Sequence, residues 1–225
     1  MNGFQAVWEG LDWSVLLFKL LEIIPAIICI TLHELSHGLA AYALGDDTAK
    51  KAGRLTLNPL VNLDWMGLLA MVLFHFGWAK PVPVNPVKMK SPKRGMALTA
   101  LAGPASNFLI TVVFLFLYGL LYDSLANTSA AGVIALNLIR STAEMSLMLG
   151  LFNLLPVPPL DGFKVVSSVL RDDLYWRIMQ YERYGFLVLI VLVRVVNITA
   201  PLGSVFIWVL EKLFVIVQFA YNLVN

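Results

Sequence analysis

His33, Glu34 and His37 are the residues whose types and spacing are best suited to chemistry. Two histidines at i and i+4 project from one face of a helix, about 5–6 Å apart at Cβ. At that spacing both imidazoles reach one Zn²⁺ at roughly 2.0–2.1 Å. Glu34 lies beside them, placed to act on a metal-activated water rather than to ligate. H-E-x-x-H on a helix is the metalloprotease signature for that reason. The chain has 3 histidines, and two of them occupy this pattern.

The element that must carry these residues is apolar throughout. The chain is 59% hydrophobic and 13% charged, with mean hydropathy +0.79, where soluble domains carry about 25% charged residues. The deficit lies in long apolar runs, which points to a polytopic membrane protein in contact with the lipid bilayer. Ionisable and metal-liganding side chains inside such a helix are costly and are functional by default. No basic patch is interleaved with aromatics, so no nucleic-acid partner is expected. The single Cys29 excludes an intramolecular disulfide framework and a Cys-rich zinc module and reads as a small buried thiol. The first thirteen residues lack a basic n-region, so the first helix is expected to be retained rather than cleaved as a signal peptide.

Along the chain, a first helix is expected from about Trp13 to Leu44, ended by Gly45-Asp46-Asp47. Residues 54–58 alternate polar and apolar, as a short strand would. The apolar run 65–78 is short for a span of about 20 residues; a re-entrant hairpin or a short tilted helix would fit. A proline-rich segment, 80–94, holds Lys80, Lys88, Lys90, Lys93 and Arg94. Residues 97–122 carry no charge and read as a spanning helix. A further helix runs from Ala131 to Leu155, where Pro156-Val157-Pro158-Pro159 breaks it, and Arg140 and Glu144 within it form an i,i+4 pair. Two last apolar stretches, 184–198 and 205–223, complete an expected five to six transmembrane helices in a single integral-membrane domain, 1–225. The fold class is an all-α polytopic membrane protein with a short strand or re-entrant segment near 54–78. Lys and Arg crowd the loops at 50–54, 80–94 and 171–183 and are absent from 123–130 and 197–204. A re-entrant 65–78 therefore puts the basic loops in the cytoplasm and the other two outside.

Two histidines leave a catalytic zinc one protein ligand short, since such sites usually hold three plus water. Asp161 is the candidate. It follows the proline break and precedes Gly162, and irregular backbone at membrane depth is tolerated where it is buried in protein or lines a water-filled cavity. His37 and Asp161 both sit roughly 10–15 Å inside the cytoplasmic end, counting 1.5 Å per helical residue. The active site is thus expected nearer the cytoplasmic side.

HELSH in the first helix, LAGPASN at Leu101–Asn107, NLLPVPPLDG at Asn153–Gly162 and GWAKPVPVNP at Gly77–Pro86 together resemble the site-2 protease family of intramembrane zinc metalloproteases. The resemblance covers roughly residues 30 to 165 and fits the compact branch without a PDZ or CBS domain. It implies His33, His37 and Asp161 as Zn²⁺ ligands, Glu34 as the catalytic base, and Asn153 and Asn107 in support of substrate or oxyanion. It also implies regulated intramembrane proteolysis of membrane-spanning protein substrates. Where many relatives carry a His-Ile-Asp-Pro-like segment, this chain has Asn62-Leu63-Asp64-Trp65, which removes that histidine's accessory role. Asp64 would line a polar entrance or cap a short helix, and His75 reads as an interfacial side chain. The alternative activity is that of a transporter or ion-translocating protein, since broken helices with polar residues at midplane are its signature too. No paired repeat accompanies them here.

Overall fold

The computed structural model describes residues 20–62, 64, 67 and 80–225. Four helices are long and apolar enough to cross a membrane: α1 (Ile23–Ala43), α2 (Pro92–Ala126), α3 (Ala130–Asn153) and, last in the chain, Thr199–Asn222. Between the third and the last lie three short helices, α4 (Asp161–Ser167), α5 (Asp172–Met179) and α6 (Gly185–Val191), so the last is α7. The all-α polytopic expectation holds. α2 is the central element, packed against α1, α3 and α7.

The polarity of the bundle is that of a protein dissolved in lipid. Thr99, Asn107, Thr111, Thr142 and Ser146 are buried, whereas Leu109, Val113, Leu187, Val215 and Phe219 are exposed. Without water at membrane depth, polar groups turn inward to find partners and apolar side chains face hydrocarbon. Leu115, Ala143 and Val217 form an apolar centre between α2, α3 and α7. Arg140 and Glu144 are paired at 2.7 Å, as their i,i+4 spacing predicts, and line a cavity of about 710 Å³ between these three helices.

The direction of α7 departs from expectation. Its C-terminal part meets the end of α2: the Tyr122 and Tyr221 rings are 6.3 Å apart, and a Cβ on Gly119 would come within 3.0 Å of Ala220 Cβ. Its start shares an apolar cavity with Leu151, Leu154 and Leu155 at the end of α3. α7 therefore runs parallel to α2, and residues 197–204 lie at the same end of the bundle as the end of α3, not opposite it. The stretch 184–198 does not form the expected separate span. It folds as the 7 residues of α6 and a 5-residue π-helical turn, Leu192–Val196, about 18 Å of helix. Asn197 then takes a left-handed conformation with φ 54°, which asparagine tolerates better than other non-glycine residues. Among the described residues, four long helices and the shorter apolar helix Gly185–Val196 make up the bundle.

The strand expected at 54–58 is also absent. Thr56 Oγ1 accepts from Asn58 N–H and Asn58 Oδ1 from Leu60 N–H, both at 3.1 Å, local turns that compete with strand pairing. No strand runs beside this stretch among the described residues. Arg54 instead turns inward, donating from Nε to Asn62 Oδ1 at 3.0 Å and from Nη2 to the Lys80 carbonyl. Lys80 N–H donates to the Asn62 carbonyl at 3.1 Å, which ties residues 62 and 80 together. The re-entrant hairpin expected at 65–78, His75 within it, and the start of the first helix at Trp13 lie outside the described residues. Asp64 Oδ1 accepts from Gly67 N–H at 3.2 Å, a capping contact.

A strap of residues 80–91 crosses the end of α1. Lys80, Val82 and Asn85 each precede a proline and are biased towards extended backbone. Buried Asp46 fastens the strap by accepting from Asn85 N–H at 2.6 Å. Burial raises the pKa of Asp46, but the Thr48 hydroxyl and the Asn85 and Thr48 amides outweigh it and hold the group below the usual carboxylate range. Half-buried Asp47 is lowered to about 2 by Lys51 and Lys88.

Candidate metal centre

The i,i+4 spacing on α1 brings the rings of His33 and His37 to 4.5 Å, nearly perpendicular at 88°. Both are buried. Their Nε2 atoms are 3.0 Å apart, and Asp161 Oδ2 lies 3.2 Å from that of His33 and 3.3 Å from that of His37. Tetrahedral ligands at about 2.0–2.1 Å from zinc stand roughly 3.3 Å from one another. Two imidazole nitrogens and one carboxylate oxygen converging at this separation fit that geometry, and the donor set suits zinc. Asp161 Oδ2 has no conventional hydrogen bond, as suits an oxygen whose lone pairs face a cation.

Asp161 reaches the histidines because the chain turns sharply after α3. Asn153 ends that helix, the prolines forbid its continuation, and Asp161 opens α4. Gly162 does not adopt a left-handed backbone. Its role is close approach, since a Cβ there would lie within 2.6 Å of the Leu155 carbonyl oxygen.

The wall behind the imidazoles is one face of α2, where Thr99, Gly103 and Asn107 recur every four residues. His37 Nδ1 lies 2.7 Å from the Thr99 carbonyl, and His33 Nδ1 lies 3.1 Å from Asn107 Nδ2. The Thr99 carbonyl can only accept, so His37 carries a proton on Nδ1, and the neutral ring has Nε2 as its ligating atom. Pro104, inside α2, lacks the N–H that would bond the Ala100 carbonyl, which loosens the helix on this turn. Gly103 lets α2 approach: a Cβ would stand 2.6 Å from His33 Cε1 and equally crowd His37. Gly103→Ala is expected to cost about 1–3 kcal/mol by overpacking and to weaken metal binding. Chelator competition together with thermal unfolding in detergent checks both effects.

Glu34 sits beside this triangle and outside it. Its Oε2 accepts from the Val82 N–H of the strap at 2.9 Å. A cavity of about 320 Å³ opens onto His33, Glu34, His37 and Asp161, and is walled by Val82, Val84, Asn153 and Lys164. Asn153 thus faces the cavity, its Nδ2 donating to the Leu149 carbonyl at 3.0 Å. Asn107 is fully buried and does not line the cavity. Cys29, one turn before His33, points its Sγ at the Thr142 carbonyl, 3.5 Å away, and is not part of the cluster. Sequence reasoning missed three contributors. Thr99 and Gly103 stand at the same four-residue spacing as Asn107, a legible signal. Lys164 follows Asp161 by three residues, and its Nζ lies 3.3 Å from Glu182 Oε1.

The chain matches peptidase family M50 over residues 22–193. It is 40% identical over 187 residues to YwhC of Bacillus subtilis, named as a candidate zinc metalloprotease, covering 83% of each chain. It is 28% identical over 172 residues to Rip2 of Mycolicibacterium smegmatis, named likewise, covering 74% of this chain and 63% of that one. A zinc metalloprotease of Methanocaldococcus jannaschii, MJ0392, is 24% identical over 185 residues, 82% of this chain and 40% of its own. No solved structure matches the chain. The match across most of the spanning helices, with the histidine and aspartate motifs inside it, sets the transporter alternative aside: the chain belongs to peptidase family M50, the site-2 protease family that its motifs resemble.

Proposed function

We propose that this protein is an intramembrane zinc metalloprotease that hydrolyses peptide bonds within or near the transmembrane segment of membrane-protein substrates. The observation that carries this reading is the buried His33–His37–Asp161 triangle, with Glu34 beside it, set among membrane-spanning helices. His33 and His37 through Nε2 and Asp161 through Oδ2 would hold the metal. Zinc, when bound, lowers the pKa of a water and polarises the scissile carbonyl. Glu34 takes the proton of the attacking water on its carboxylate and returns it to the leaving amide nitrogen. Asn153, on the cavity wall, is available to the substrate backbone or to the developing oxyanion.

A helical substrate must unwind to present a carbonyl. The strap at 81–85, biased towards extended backbone by its prolines, stands at the cavity where a substrate strand could add. Lys50, Lys51, Lys88, Lys90 and Arg94 are exposed at the end of the bundle nearest the site, and the turn between α2 and α3 carries neither Lys nor Arg. The positive-inside rule then assigns the site to the cytoplasmic side. The test is purified protein in proteoliposomes with a single-pass substrate. Cleavage should stop with a zinc chelator and return with added zinc; cleavage that persists after zinc is stripped would overturn the reading.

A further inference from the structure

A neutral imidazole carries one N–H. If its Nε2 ligates zinc, that hydrogen is on Nδ1 and requires an acceptor. The two histidines of this site meet that requirement differently. His37 faces the Thr99 carbonyl, which accepts and cannot donate. His33 faces the side-chain amide of Asn107, which can present oxygen or nitrogen to the same point by a half-turn about its last torsion. In the structure Nδ2 is turned towards His33 Nδ1, an arrangement that serves the Nε2–H form. Asn107 Oδ1, in a fully buried residue, has no partner among the described residues. The backbone of Asn107 is fixed independently: its carbonyl accepts from Ser146 Oγ and Thr111 Oγ1, both at 2.9 Å. Only the amide is left to choose.

We propose that Asn107 is the positioning residue for His33, and that zinc binding turns its amide over so that Oδ1 accepts from His33 Nδ1–H. One proton leaves Nε2 and one is taken up at Nδ1, so the imidazole stays neutral. His37 is held in the metal-ready form at all times, whereas His33 enters it with the metal. Asn107 thereby sets how tightly the site holds zinc. It acts from behind the ligand, away from the cavity where Asn153 stands. The inference rests on His33 being a zinc ligand.

The experiment measures zinc affinity by chelator competition and the tautomers by nitrogen NMR of ¹⁵N-histidine-labelled protein in detergent, with and without zinc. In the wild type, His37 should stay Nδ1-protonated in both conditions, while His33 moves from Nε2–H to Nδ1–H on loading. Asn107→Leu, which removes the acceptor, should weaken zinc binding by about 10–100-fold. Asn107→Asp, an acceptor in every orientation, should bind at least as tightly as the wild type. Wild-type zinc affinity in Asn107→Leu, or an Asn107→Asp loss as large as that of Leu, would overturn the proposal. So would a His33 tautomer unchanged by zinc, which is read on the wild type and survives any folding defect in a variant. Undiminished zinc binding by His33→Ala in the same titration would instead overturn the ligand assignment on which the inference rests.

Discussion

Glu34→Gln is expected to lose about 10²–10⁴-fold in cleavage rate while retaining zinc, the range lost with a positioned general base. That corresponds to roughly 3–5 kcal/mol of transition-state stabilisation. The substitution isolates the proton-transfer role because it preserves shape. The glutamine oxygen can still accept from Val82 N–H, as the Glu34 carboxylate does at 2.9 Å, so the strap keeps its seat. Glu34 is outside the triangle of converging atoms, so metal content should not change. Rates in the presence of saturating substrate, with zinc quantified on the same preparation, check the claim. Equal cleavage by the two proteins would remove Glu34 from the mechanism.

Asp161→Ala is expected to fail at an earlier stage, in metal retention itself. The substitution deletes one of the three converging atoms and leaves two imidazole nitrogens 3.0 Å apart. Loss of an outer-shell partner alone typically costs 10–100-fold in affinity, and removal of a direct ligand should exceed that. The protein should purify with little zinc and show no activity, and added zinc should restore activity only in large excess. Zinc occupancy equal to that of the wild type would eliminate Asp161 as a ligand. The two variants thus separate chemistry from binding: one keeps the metal and loses the rate, the other loses both.

The centre of this site was legible because its logic is local or nearly so. His33 and His37 are one helical turn apart, and a period of 3.6 residues places them together without further information. Asp161 was found at a distance of more than a hundred residues because the proline run marks where α3 must end, and counting residues fixes its depth. The four-residue ladder of Thr99, Gly103 and Asn107 was present in the sequence, but only the approach of α1 gives it meaning. By contrast, the direction of α7 depends on the close contact of Gly119 with Val217 and Ala220. An apolar run reads the same whichever neighbour it chooses. The 184–198 run has the composition of a span but not the length, and Asn197 turns the chain back. The alternation at 54–58 satisfied the pattern of a strand with no partner beside it, and pattern alone cannot supply one. The Val82–Glu34 contact joins residues 48 apart in sequence through a backbone amide, which has no residue-type signature.

The ladder on α2 also determines how the site responds to mechanical disturbance. The supports of both imidazoles, the Thr99 carbonyl and the Asn107 amide, belong to one helix, so α1 and α2 act as a single jig that holds two of the three converging side chains in fixed register. The third converging side chain, Asp161, rides on α4, which packs on α2 and is carried by the proline turn that Gly185 packs against. A displacement of that arm changes the reach of the carboxylate towards the imidazole pair and works against the packing of α4 on α2. On the proposed ligand set, metal retention would report the position of the Pro156–Asp161 turn relative to α1 and α2, and α7 reaches that turn through the cavity its start shares with Leu154 and Leu155.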